Sequence, residues 1–249
     1  MDSVLVELKR RCALVENLVL AAEESPDLHM QGTFKDAAVV LLHGHWENFL
    51  RELMRAFIED LKSKGLGYSS LPGCIRDTHR TRTSELLYKH MQFFEDITVE
   101  DVAAGFHKSL CNNDSSGVVA QAFCITESSA DQKVVSKLFN QIGCPDVWLQ
   151  ITEAIFGEKL DEVINAGKGD ARFKRKQRVK TINGQREVIL AKLTRLVAAR
   201  NQVAHQGLST SLTPDFPTIR SWISLIEQLG GACISISKRR LTEIVSVTA

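Results

Sequence analysis

The chain has 249 residues, 44% of them hydrophobic, and its 31 Lys and Arg are offset by 30 Asp and Glu, leaving a net charge of +1. That size and apolar share describe a globular chain able to bury a sizeable core, as one elaborated domain or two packed halves, and the balanced charge excludes any case for nucleic-acid binding from net charge alone. No apolar run approaches the ~18 residues needed to span a bilayer, and the N-terminus MDSVLVELKRR reads as an amphipathic helix and not as a signal peptide, so a cytoplasmic location is expected.

In chain order, residues 2–24 form the first amphipathic helix, separated by Ser25, Pro26 and Asp27 from a second long one over about 34–64 that stops near Gly65. On the second helix Val39, Leu42, Trp46, Leu50, Leu53 and Phe57 make the apolar stripe, with Glu47 at its border. Tyr68 to Thr83 is turn-rich and carries a small basic patch of Arg76, His79, Arg80 and Arg82; TSELLYKHMQFFEDI and TVEDVAAGFHKSL follow as shorter helices. Residues 111–130 are the least regular, with NNDSSG as a loop and VVAQAFCI as either a short strand or a buried helix. Helices resume over Ser129 to Ile142, Pro145 to Phe156, Lys159 to Ala166, about Gln185 to Gln206 and Pro217 to Leu229. Gly65, Gly67, Gly230 and Gly231 read as helix stops, and the final ACISISKRRLTEIVSV alternates like a strand before turning helical. The fold expected is mainly all-α: a bundle of four or five core helices from about 2–64 and 185–229, a helical insertion over about 66–184, and at most one short strand.

The helix over Gln185 to Gln206 poses a chemical question. At about 100° per residue, Ile189, Leu193, Leu196, Val197, Val203 and Ala204 cluster on one side, and Arg200 projects near the middle of that cluster. A buried unpaired guanidinium is costly, so Arg200 requires either a carboxylate partner or a cleft holding an anion such as phosphate. His205 lies about 140° further round the helix, so one substrate meets both groups only if the helix loosens near Gly207 or a second chain completes the site. An imidazole in a last helical turn feels the negative end of the dipole and titrates near neutrality, which suits general acid or base work; it suits a plain capping role equally.

Arg200-Asn201-Gln202-Val203-Ala204-His205, within LTRLVAARNQVAHQG, resembles the R-x4-6-H motif of the HEPN superfamily. AAVVLLHGHWENFLRELM, residues 37–54, resembles the second helix of the RiboL-PSP-HEPN and related prokaryotic HEPN families, where an apolar run leads into an aromatic residue and a glutamate. The resemblance implies a metal-independent endoribonuclease in which a ribose 2′-hydroxyl attacks the adjacent phosphate, leaving 2′,3′-cyclic phosphate and 5′-hydroxyl ends. It assigns proton transfer to His205, charge stabilisation to Arg200, orientation of the imidazole or phosphate binding to Asn201, and the holding of Arg200 to Glu47. The competing reading of Glu47 is an ion pair with Arg51 one turn on. The resemblance also implies a homodimer with a composite site, a toxin or antiphage-defence role, and an antitoxin or defence partner; the alternative is a non-catalytic RNA- or protein-binding adaptor.

Within KGDARFKRKQRVK, residues 168–180, the basic residues Arg172, Lys174, Arg175, Lys176, Arg178 and Lys180 suit an RNA backbone, with Phe173 able to stack on a base, or else form a solvated loop. The chain has no Walker or dinucleotide loop, no G-x-S-x-G and no H-E-x-x-H, so no cofactor is expected. Six dispersed cysteines read as reduced and mostly buried, and His43 and His45, two apart on a helix, point away from each other, so no metal site is expected.

Overall fold

Asp27 accepts a hydrogen bond from the His29 N–H and so starts helix α2 at Leu28, six residues before the sequence pattern places it. The computed structural model describes residues 1–90, 94–126, 129–166, 170–206 and 214–248. Among these are eight α-helices: α1 (Asp2–Glu24), α2 (Leu28–Lys62), α3 (Gly73–Glu85), α4 (Val99–Cys111), α5 (Gln132–Gln141), α6 (Val147–Ala166), α7 (Ala171–Gln206) and α8 (Phe216–Thr248). The fold is all-α, and the one β-type pairing among the described residues is an isolated bridge between Gly67 and Asp114.

The frame of the site is a bundle. α1 packs along α2, α8 covers both, and α7 lies on α2 with α6 behind it. The apolar stripe expected on α2 is fully buried, from Val39 through Trp46 to Phe57, and it meets Leu8, Cys12 and Val15 of α1 and Ile226, Leu229 and Cys233 of α8 in one continuous core. The irregular segment belongs to that core. Apart from Gln121, Val118 to Ile125 is buried as extended chain and 3₁₀ turn, and the Cys124 thiol donates to the Arg51 carbonyl of α2 at 3.3 Å. The strand or helix expected over VVAQAFCI is therefore a 3₁₀ turn held by its side chains.

Three other expectations are corrected by helix continuity. The basic stretch is not a loop: α7 begins at Ala171, where Asp170 caps the Phe173 N–H at 2.7 Å, and runs 36 residues through the motif. Its Lys, Arg and Gln content favours helix, so no break is needed before Gln185. α6 likewise runs unbroken through Gly157. In α8 the chain continues helically through Gly230 and Gly231 to Thr248, so neither glycine is a stop and the final stretch is not a strand. At Gly230 α1 comes close, since a Cβ there would overlap Leu8. Gly65 does end its helix, at φ 64° after α2. The turn-rich segment after Tyr68 contains α3, which extends into a π-helical turn over Leu86–His90.

Candidate active site between α2 and α7

Asp36, His43 and Glu47 sit at i, i+7 and i+11 on α2, which places them on one side of the helix, and α7 packs on the same helix. Asp36 is the one acid in the buried class among the described residues. His43 is completely buried; its Nε2 lies 2.9 Å from the Ser129 hydroxyl and its Nδ1 has no hydrogen-bond partner. Burial pushes its pKa below the usual imidazole value, the Glu47 charge pulls it back up, and the Arg200 charge presses it down. The same three groups therefore share one electrostatic neighbourhood.

Arg200 comes to that neighbourhood from α7. Ile189, Leu193 and Leu196 are buried as the periodicity predicts, while Val197 and Val203 are half-buried and Ala204 is exposed. The helix thus leaves the core in its last two turns, and Arg200 is half-buried at the point of exit. Its Nη1 donates to the Asn201 side-chain oxygen at 3.0 Å. Glu47, with 20% of its side chain exposed, pairs with Arg51 at 2.9 Å and not with Arg200; Arg51 also reaches the Thr126 hydroxyl at 2.9 Å. Of the two sequence readings of Glu47, the ion pair one turn on is the one formed, and Glu47 and Arg200 both act on His43 as nearby charges. His205 falls in the last turn of α7, and its side chain lies outside the described residues.

Chemically, this arrangement offers a guanidinium at a helix exit, steadied by an amide, while the Glu47 carboxylate is already paired with Arg51. Arg200 is thereby left able to face an anion. His43, Asp36 and Ser129 were not singled out by sequence reasoning, although a His and an Asp on an apolar stripe seven residues apart are a visible signal of a polar seam.

The basic half of α7 divides its side chains between two faces. Arg172, Arg175, Lys176 and Lys180 line a shallow, open groove along one face of α7 itself, with Asn183 and Glu187. Arg178 points the other way, to Asp161 at 2.8 Å and Glu153 at 3.0 Å on α6, and so belongs to packing. Lys174 does not line the groove, and Phe173 is exposed. Lys176 and Arg200 are 24 residues apart in one helix, about 36 Å. The smaller patch loses His79, which is buried against Tyr68 and Phe106, and Arg82, which is paired with Glu85 at 2.5 Å.

Among the described residues no group of three His, Cys, Asp or Glu could hold a metal ion, and no helix is long and apolar enough to cross a membrane. Cys12, Cys124, Cys144 and Cys233 are buried, Cys74 is half-buried and Cys111 is exposed; burial pushes the Cys12 and Cys124 thiols up to about 12.

The family model described as RiboL-PSP-HEPN matches residues 6–234, from within α1 to within α8. The chain belongs to the RiboL-PSP-HEPN family. Comparison with curated proteins and with solved structures returned no match. As a RiboL-PSP-HEPN protein it is expected to have an RNA-related role, and the match takes in α2, the irregular segment and the whole of α7.

Proposed function

We propose that this RiboL-PSP-HEPN protein is a metal-independent endoribonuclease whose centre is the exit of α7 from the core. The observation that carries the reading is Arg200: a guanidinium half-buried on α7, held by Asn201 and forming no ion pair among the described residues. Such a group is placed to neutralise charge that develops on a phosphate.

In the reaction the 2′-oxygen forms a bond to the adjacent phosphorus and the bond from phosphorus to the 5′-oxygen breaks. His205 takes the 2′-hydroxyl proton or delivers a proton to the departing 5′-oxygen; the same motif in a second copy supplies the complementary transfer. Arg200 stabilises the pentavalent phosphate and Asn201 sets the position of Arg200 or of the phosphate. Glu47 adjusts the local charge through its pair with Arg51. The groove of Arg172, Arg175, Lys176 and Lys180 holds the RNA backbone away from the scissile bond. A homodimer and a regulating partner protein of toxin or defence type complete the reading.

The groove also favours a second reading. A basic helix face about 36 Å from Arg200 is what an RNA-binding adaptor needs even without chemistry. The deciding experiment incubates wild type and His205→Ala with total and synthetic RNA in excess EDTA and examines the new ends. Cyclic-phosphate ends from wild type alone are expected; RNA retained by both proteins but cut by neither would establish the adaptor.

A further inference from the structure

Away from the α2–α7 site, the turn between α5 and α6 brings together two cysteines that are far apart in the chain, Cys74 and Cys144. Helix α5 ends at Gln141, and Gly143, at φ 80°, turns the chain in the left-handed conformation that leads to Cys144 and then to α6. Cys74, the second residue of α3, packs on that turn. A Cβ placed on Gly143 would lie 2.9 Å from the Cys74 sulfur and 2.7 Å from Nη2 of Arg240 on α8. Glycine is therefore required here both for its φ and for the space that a thiol and a guanidinium already fill. Arg240 is fixed in place, its Nε donating to the Ile142 carbonyl at 3.0 Å and its Nη1 to Glu243 at 3.2 Å.

The two thiols are not alike. Cys74 is half-buried and lines the open depression between α3 and α5, so a small reagent reaches it from solvent. Cys144 is buried; burial pushes its thiol up to about 11 against the pull of the Arg240 charge, and the Cys74 charge acts on it as well. An accessible sulfur that meets an oxidant and a sheltered one close by that resolves the adduct are what a redox-responsive pair needs. Neighbouring positive charge favours attack by a thiolate, and Arg240 supplies it to both cysteines.

We propose that Cys74 and Cys144 are a redox-responsive pair that closes to an intramolecular disulfide on meeting a low-molecular-weight disulfide such as oxidised glutathione. The Cys74 thiolate attacks one sulfur of the small disulfide and expels the other as a thiolate, leaving a mixed disulfide on Cys74. Cys144, once its proton is lost, attacks the Cys74 sulfur; the bond to the small thiol breaks and a second small thiolate leaves. The two protein sulfurs are oxidised, the small disulfide is reduced to two thiols, and the protons lost by the protein are taken up by them. The bond ties the start of α3 to the turn between α5 and α6. At its other end α5 is capped by Asp131, which directly follows Ser129 and Ala130, the residues bonded to His43 and Trp46 of α2. Formation of the disulfide does not depend on the ribonuclease reading, so failure of either leaves the other standing.

The test incubates the folded full chain with millimolar oxidised glutathione, blocks the remaining thiols with iodoacetamide in denaturant, and maps the unreduced peptides by mass spectrometry. The expected product is a peptide pair joined through Cys74 and Cys144 within one chain, released by dithiothreitol. In Cys144→Ser the glutathione adduct on Cys74 is expected to accumulate at least about tenfold above its level in wild type, because the resolving thiol is gone. A thermal unfolding curve checks that the variant is folded, and the wild-type map stands without it. The proposal is overturned by a wild type in which both thiols stay free, by adducts on Cys74 and the exposed Cys111 with Cys144 unmodified, by Cys74 joined to a second chain, by a Cys74 to Cys144 link that forms only in urea, or by equal adduct on Cys74 in wild type and Cys144→Ser.

Discussion

The Ser129 hydroxyl lies 2.9 Å from His43 Nε2, and the carbonyl of the next residue, Ala130, accepts the Trp46 Nε1–H at 3.1 Å. Two successive residues of an irregular segment thus satisfy two buried ring nitrogens one turn apart on α2. The chain between α2 and α7 is thus tied to α2 by hydrogen bonds as well as by apolar packing. This is why an insertion of over a hundred residues cannot be treated as decoration on the bundle.

Ser129→Ala leaves the buried His43 ring with no hydrogen bond at either nitrogen, since Nδ1 already has none. A loss of about 1–3 kcal/mol in unfolding free energy is expected, read as a lower urea midpoint at unchanged slope. Trp46→Phe orphans the Ala130 carbonyl and is expected to cost a similar amount. A variant as stable as wild type would mean that the contact does not hold the segment.

His79 makes stability depend on pH. It is fully buried between Tyr68 and Phe106, and burial, with help from the Arg80 charge, pushes its pKa down to about 4. The unfolded chain takes up a proton near the ordinary value of about 6.5, before the folded one does, so the unfolded state binds more protons in that window. Stability is full above about pH 6.5 and falls as pH drops towards 4. Between pH 7 and 5 the loss from this residue is about 2 kcal/mol, and His43, also shifted downward, adds to it. Urea midpoints at the two pH values in wild type and His79→Phe check the sign and the share: the variant is expected to lose markedly less on acidification.

How much of this was legible in the sequence follows from which physical signals are local. The α2 stripe was readable because six apolar residues repeat at helical spacing, and α1 was readable to its ends. The start of α7 was missed although Asp170 is a good N-cap, because a run of seven basic residues in thirteen looks like a solvated loop until its helix is given something to lie on. Arg178 supplies that anchor to α6, and its partners Asp161 and Glu153 are distant in sequence. Gly230 was read as a stop because its reason, the closeness of Leu8, lies on another helix. At the site, Arg200 was found from its place on an apolar face, whereas the choice between Arg51 and Arg200 as the partner of Glu47 depended on tertiary geometry that no spacing rule contains.

Gly230 and Gly231 give adjacent substitutions with opposite signs. A Cβ at Gly230 would overlap Leu8 and meet Leu5 and Phe49, so Gly230→Ala forces α1 and α8 apart and is expected to destabilise by about 1–3 kcal/mol. At Gly231 nothing lies within 4 Å of the same atom. Gly231→Ala therefore keeps only the helix-propensity gain and is expected to stabilise by about 0.5–1 kcal/mol. Thermal unfolding of the two single variants should move in opposite directions from wild type.

Lys176 and Arg178 are two residues apart on α7 and are expected to fail in different ways. Lys176 lines the open groove, and its loss removes a phosphate contact: Lys176→Ala should weaken RNA binding at low salt and reduce the slope of log affinity against log salt by about 1, with little change in stability. Arg178 is held by Asp161 and Glu153, so Arg178→Ala should leave that salt slope intact and instead lower stability, by no more than about 1 kcal/mol because the pair is partly solvated. Filter binding across a salt series, paired with urea unfolding of the same proteins, separates the two. Equal salt slopes in Lys176→Ala and wild type would remove the groove from the RNA path and leave the basic half of α7 as a solvated face, with Arg200 still to be tested on its own.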